Sequence, residues 1–294
     1  MAEKVRLAFG FKGLTWRSVE VPRLPPKPDL IPLTGGYRRV PVMQIGADVY
    51  CDTQCILPEL ERRFGSPTFF PGANRGAALA LARWSDDTLF SHTVRIVVAT
   101  AVETMPAEWV EDRTQLMFGS GQRAEDLIED IPHLSAQLRG QFGWIDQQLA
   151  DKDFVLGSQP SLPDFSLYPI LWVLRARWDG AAKLFAGFKA LESWESRMAA
   201  IGHGDREDIE PADAVAAALA HEPETPERGD SNDPQGLTPG MRVKVRASGS
   251  NGDPDVEGIV RFADSDTIAL LHENDRVGTV CINFPRIGYS VRLA

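Results

Sequence analysis

The spacing of apolar positions changes twice along the chain, and the two changes divide it. In residues 2–13, Val5, Leu7, Ala8, Phe9 and Phe11 fall on one helical face, which loosens at Gly10 and Gly13. Residues 16–21 (WRSVEV) alternate like a half-buried strand, and Pro22, Pro25, Pro26 and Pro28 then interrupt regular structure. Residues 40–45 and 47–51 are two short runs split by Gly46, the signal for a tight hairpin. Residues 53–64 read as a helix stopped by Gly65-Ser66-Pro67.

From residue 74 to 220 the period moves from two to nearly four. One long helix is expected over 77–102 and another within 122–149, bent near Pro132 and Gly140. Further helices are expected over 161–178, 184–201 and, alanine-rich, 211–220. Such helices bury one stripe each and form a bundle, with Trp84, Trp144, Trp172 and Trp194 expected in its core. Residues 203–236 turn polar and acidic, with Pro223, Pro226, Gly229, Pro234 and Gly236, and read as solvated chain. After Gly240 the period returns to two, giving about five short strands and a small, partly closed β-barrel. The expected fold class is thus α/β plus all-α with a terminal β-barrel. Its units are an α/β domain (1–70), an all-helical domain (74–220), an acidic linker (221–236) and the barrel (237–294).

The length of 294 residues fits two or three cores, and no apolar run reaches the roughly 18 residues of a membrane span or resembles a signal peptide. Cys51, Cys55 and Cys281 are too few for a disulfide framework and lack zinc spacing, so no metal and a reducing cytoplasm are expected. A net charge of -10 argues against nucleic acid or an anionic membrane as main partner, but not against a small anion held locally.

The informative stretch is Tyr37-Arg38-Arg39-Val40-Pro41-Val42. Proline opening a strand removes a ladder donor, and a cis bond at Pro41 would turn the Val40 backbone toward a ligand. About ten residues on, a helix starts at Asp52-Thr53, with Thr53 expected as its N-cap; the free amides there favour a carboxylate, and Asp52 would receive an ammonium. Downstream, Ser161-Leu162-Pro163-Asp164 is a capping-box variant opening an apolar helix. The pair of patterns resembles the glutathione transferases, over about residues 1–220. The resemblance implies a thioredoxin-like first domain and an all-helical second one. It implies that Val40 pairs with the cysteinyl part of glutathione, that Asp52 and Thr53 hold its γ-glutamyl head, and that Arg39 lies near a carboxylate. Ser161 and Asp164 are structural by the same comparison. A homodimer acting on a small electrophilic substrate is implied as well.

The family's first strand, and the Ser, Tyr or Cys after it that activates the thiol, have no counterpart in this numbering, so no catalytic residue is assigned. The natural product is expected to begin upstream of Met1; the alternative is a form that has lost thiol activation and serves as a scaffold or protein-binding module. Cys51 and Cys55 flank a helix N-terminus that would lower a thiol pKa, but small-residue packing is the expectation. His92 is expected as a satisfied core or interface residue, and at least one of Asp86 and Asp87 as solvated. Arg242, Lys244 and Arg246 form a basic strand face, and Phe284-Pro285-Arg286 is a candidate for docking on the bundle.

Overall fold

The computed structural model describes residues 1–72, 74–248 and 253–294. The N-terminal part runs α1 (Ala2–Phe11), β1 (Thr15–Val19), α2 (Leu30–Thr34), β2 (Val42–Ile45), β3 (Asp48–Cys51) and α3 (Thr53–Arg63). The expected hairpin forms, with Val42 opposite Cys51 and Ile45 opposite Asp48. Gly46 supplies its left-handed turn at φ 57°. Val5, Leu7 and Ala8 of α1 and Ile56, Leu57 and Leu60 of α3 are buried in one core with Met43 and Tyr50 of the hairpin.

Strand β1 does not pair with the hairpin. Its partner is β4 (Asp205–Ile209), in parallel, from Thr15 opposite Asp205 to Val19 opposite Ile209. Residues 203–236 are therefore not solvated linker throughout: the charged run DREDI is a strand. A two-stranded ladder needs only backbone groups, so its acidic side chains stay in water while its amides are satisfied.

The helical part contains α4 (Arg75–Trp84), a π-helical turn (Ser85–Leu89), α5 (Phe90–Ala101), α6 (Ala107–Phe118), α7 (Ile131–Gln148), α8 (Leu162–Arg177), α9 (Ala181–Phe185), α10 (Lys189–Ala199) and α11 (Pro211–Leu219). The expected long helix over 77–102 is α4 and α5 joined through the π turn. Helix α6 falls in a stretch for which the sequence predicts no element. Pro132 does not bend α7; it sits in the first turn, where no intrahelical donor is needed. Phe165, Ile170, Leu171 and Leu174 bury α8 against α4, α1 and α10. Trp194 is in the core as expected, whereas Trp144 is 63% and Trp172 40% exposed. Trp144 stacks on Trp84, whose indole donates to Gln141.

The terminal strands are β5 (Arg228–Gly229), β6 (Arg242–Ala247), β7 (Val256–Ala263), β8 (Thr267–Asn274), β9 (Gly278–Pro285) and β10 (Tyr289–Leu293). The expected barrel is not closed. The sheet order is β10-β6-β7-β8-β9-β3-β2, so β9 leaves the terminal strands to pair in parallel with β3, Asp48 opposite Cys281. An edge that would otherwise need closing is covered by the N-terminal hairpin. No helix among the described residues is long and apolar enough to cross a membrane.

Buried ions tie α1 to α3. The Lys12 ammonium donates to Glu61 at 2.6 Å and to the Phe64 carbonyl, and lies 4.3 Å from the Phe69 ring centroid. Burial alone would raise the Glu61 pKa, but hydrogen bonds from Lys12, Thr68 and the Phe69 amide outweigh it and hold the carboxyl below its ordinary value. A depressed carboxylate stabilises the fold above its unfolded pKa and loses that contribution as pH falls through the folded value. Glu61→Gln is therefore expected to destabilise fully at neutral pH, with a deficit that shrinks progressively as the pH falls below about 4; a deficit that does not shrink with pH in urea titrations contradicts it.

Candidate functional site

The β3–α3 junction collects most of the singled-out residues. Asp52 occupies a left-handed backbone position, φ 76° with ψ 147°, outside the αL well and strained for a residue with a side chain. Its Oδ1 accepts from the Gln54 amide at 3.0 Å. Asp52, not Thr53, is therefore the N-cap, and Thr53 is the first helical residue. The reason is local: the left-handed turn places the Asp52 carboxylate, rather than the next hydroxyl, over the open amides of α3.

Two groups invisible in the local sequence complete this corner. The Lys4 ammonium, buried on α1, donates to Thr53 Oγ1 at 3.3 Å and to both oxygens of Asp86 at 2.6 and 2.7 Å. Asp86 stands on the π-helical turn, a kind of helix irregularity enriched at functional sites. Burial pushes the Asp86 carboxyl up; Lys4 pulls it back without cancelling the shift. Its neighbour Asp87 is the solvated one, paired with Arg83. From the terminal strands, the Tyr289 hydroxyl donates to Asp52 Oδ2 at 3.1 Å and meets the Tyr37 hydroxyl at 3.3 Å. Burial and then the Asp52 charge push the Tyr289 phenol far above its ordinary range, so it is a neutral donor here.

On the other side, the Val40–Pro41 peptide is cis and Val40 is 48% exposed. Arg39 is held by Asp253 at 2.6 Å and by the Leu116 carbonyl at 3.1 Å, so its guanidinium is engaged within the chain. The adjacent Arg38 pairs with Asp112 of α6 at 2.6 Å.

The other candidates resolve into structural roles. Cys51 and Cys55 are fully buried and their thiols are pushed well up, by burial first and by Asp52 second, so the helix N-terminus does not activate them. Burial likewise takes the Cys281 thiol up to about 12. His92 is not satisfied: its buried Nδ1 has no partner, and burial and then His133 lower its pKa. Arg242 and Lys244 share Glu257, and Arg246 pairs with Asp255, so two carboxylates offset part of the expected basic face. Arg286 grips Asp233 and Gln235 of the connecting segment rather than the bundle. Ser161 and Asp164 form the expected box, a structural one at the start of α8. No group of three or more His, Cys, Asp and Glu among the described residues could hold a metal ion.

Residues 1–68 match the family description "Glutathione S-transferase, N-terminal domain", and residues 107–199 match "Glutathione S-transferase, C-terminal domain". A GST-like protein from Pseudomonas syringae is 34% identical, with a TM-score of 0.82; the alignment covers 100% of this chain and 95% of that one. FzlA from C. crescentus shares 22% identity at a TM-score of 0.50, covering 67% of this chain and 82% of that one. A glutathione S-transferase from Rhodospirillum rubrum F11 shares 16% at 0.51, covering 67% and 81%. The last two show a shared fold only. No curated protein matches the chain.

Proposed function

Two family matches and a relative aligned over the whole chain make this protein a member of the glutathione S-transferase superfamily, and on that premise we propose that it binds glutathione at the β3–α3 corner and transfers it to a small electrophile. The observation that carries the reading is the left-handed Asp52 beside Thr53 and the buried Lys4 ammonium. A γ-glutamyl head carries both charges at one carbon, and this corner offers one group for each. Its carboxylate would meet the Thr53 hydroxyl, the positive N-terminal end of α3 and Lys4. Its ammonium would meet Asp52. The Val40 backbone would pair with the cysteinyl amide, as the family resemblance implies. Binding by these groups orients the thiol; its conversion to the attacking thiolate is assigned to no residue of the chain. A homodimer is part of the same proposal.

Titration calorimetry with glutathione tests the binding. The parent protein is expected to bind, and Asp52→Ala to bind at least about tenfold more weakly through loss of a charged hydrogen bond. An Asp52→Ala protein that is folded and binds as tightly as the parent refutes the site.

A second reading rests on a specific observation: Asp52, Thr53 and Arg39 each already bond within the chain, to Tyr289, Lys4 and Asp253. In that reading the terminal strands plug the corner, and the protein is a catalytically silent scaffold. Complete lack of glutathione binding by the parent, restored in Tyr289→Phe, would single it out.

A further inference from the structure

Between α2 and α6 three cations face one carboxylate. Lys27, only 6% exposed, donates to the Arg38 carbonyl at 2.9 Å. Arg38 pairs with Asp112, and Arg113 follows on the same helix with its guanidinium 5.3 Å from the Trp109 ring centroid. Neither Lys27 nor Arg113 makes an ion pair among the described residues. Two atoms in the cluster are buried without any partner: Arg113 Nε, a donor, and Asp112 Oδ2, an acceptor. The residues outside the description, Ala73, Gly249, Ser250, Asn251 and Gly252, carry no charge that could balance the cluster. Two positive charges are therefore left over in a half-buried place, in a chain whose net charge is -10.

The cost shows in the groups themselves. Burial, then Arg113 and Arg38, hold the Lys27 ammonium below its ordinary pKa against the pull of Asp112. Burial first, with Arg38 and Arg39 also opposing, lowers Arg113 in the same way. Uncompensated buried cations and an orphaned donor call for an anion. The orphaned acceptor narrows the choice, because a fully deprotonated anion would be repelled by Asp112 Oδ2. An anion that keeps one hydroxyl satisfies all three groups: it accepts from Lys27 Nζ and Arg113 Nε and donates its own O–H to Asp112 Oδ2.

We propose that Lys27, Arg38, Asp112 and Arg113 form a binding site for a protonated tetrahedral oxyanion, hydrogen phosphate or the singly protonated form of a phosphate monoester, built across the two halves of the fold. The site is separate from the β3–α3 corner and does not depend on glutathione binding there. It joins the loop before Val40 to α6, so its occupant would clamp the helical part onto that loop.

Thermal unfolding and calorimetry of the full chain in a buffer free of phosphate and sulfate test this, with inorganic phosphate, inorganic sulfate and glycerol phosphate added at matched ionic strength. Phosphate is expected to raise Tm and bind with a measurable heat, while sulfate, which keeps no proton near neutral pH, does neither. Stronger binding of glycerol phosphate than of phosphate identifies an esterified ligand; the reverse identifies the free ion. Arg113→Gln is expected to weaken phosphate at least about tenfold, and Lys27→Gln serves if that variant does not fold. Asp112→Asn, whose amide offers a donor, should admit sulfate. Equal effects of phosphate and sulfate on the parent, or no effect of phosphate beyond that of chloride, overturn the proposal.

Discussion

Asp164→Ala is expected to cost about 4 kcal/mol or more, enough to unfold a large fraction of a domain whose total stability is about 5–15 kcal/mol. The Asp164 carboxylate is fully buried and accepts from the Val155 amide at 2.9 Å, the Ser161 amide at 2.9 Å, the Ser161 hydroxyl at 2.7 Å and the Trp194 indole at 2.8 Å. One side chain thus joins the start of α8, the segment before it and the aromatic core of α10. Burial is the largest influence on its pKa and leaves it above the ordinary value despite these four donors. Alanine leaves the Val155, Ser161 and Trp194 N–H groups buried without acceptors, each costing about 1–3 kcal/mol. Asn keeps one acceptor oxygen for Val155 and Trp194 but turns donors toward Ser161, so its cost should be about half as large. Urea unfolding monitored by tryptophan fluorescence measures both. A loss under about 1.5 kcal/mol for Asp164→Ala, the size of one ordinary hydrogen bond, contradicts the account.

Lys4→Met is the second large effect. The Lys4–Asp86 pair is buried at both ends, with side-chain exposures of 2% and 14%. Removing one partner of such a pair costs about 3–5 kcal/mol because the other charge stays behind. The sign of the pH dependence follows from Asp86, whose carboxyl burial already pushes up and which in the variant loses the pull of Lys4 and keeps the weaker one of Arg83. Its folded pKa then lies further above the unfolded value, so the folded state takes up the proton more readily and the variant regains stability as pH falls. The deficit should be full near about pH 8 and smaller near about pH 5. The double variant Lys4→Met/Asp86→Leu should recover most of the loss at neutral pH. A deficit that is the same at both pH values, or a double variant no better than the single, contradicts the pairing.

The sequence makes legible whatever depends on neighbours along the chain. Alternation in β6 to β10, the two short runs of the β2–β3 hairpin with the glycine between them, and the Ser161–Asp164 box all lie within a few residues of their partners. What it hides joins distant positions. Lys4 reads as one more helical lysine until Asp86, 82 positions away, is beside it. Arg39 and Asp253 are 214 apart, and Asp52 and Tyr289 are 237 apart. The π-helical turn leaves no local mark, although it brings Asp86 inward and leaves Asp87 outside. Strand β4 is missed for another reason. Asp, Arg and Glu are poor strand formers, and DREDI is extended only because the edge of β1 supplies a ladder. The expected small, partly closed barrel is an open sheet continued by β3 and β2, because the period of two counts strands without showing where their edges end.

The junction of β3 with β9 has a consequence for synthesis. The Asn283 amide donates to the Val49 carbonyl across 234 positions of chain, beside the ladder that joins the same strands. A ribosome adds about 5–20 residues per second, so the outer edge of the hairpin waits on the order of tens of seconds for its partner. During that interval the nascent chain carries an open β edge next to the Asp52 corner. A chaperone that shields extended segments, or slow-codon pauses placed before the last strands, would therefore change the yield of native protein more than its final stability.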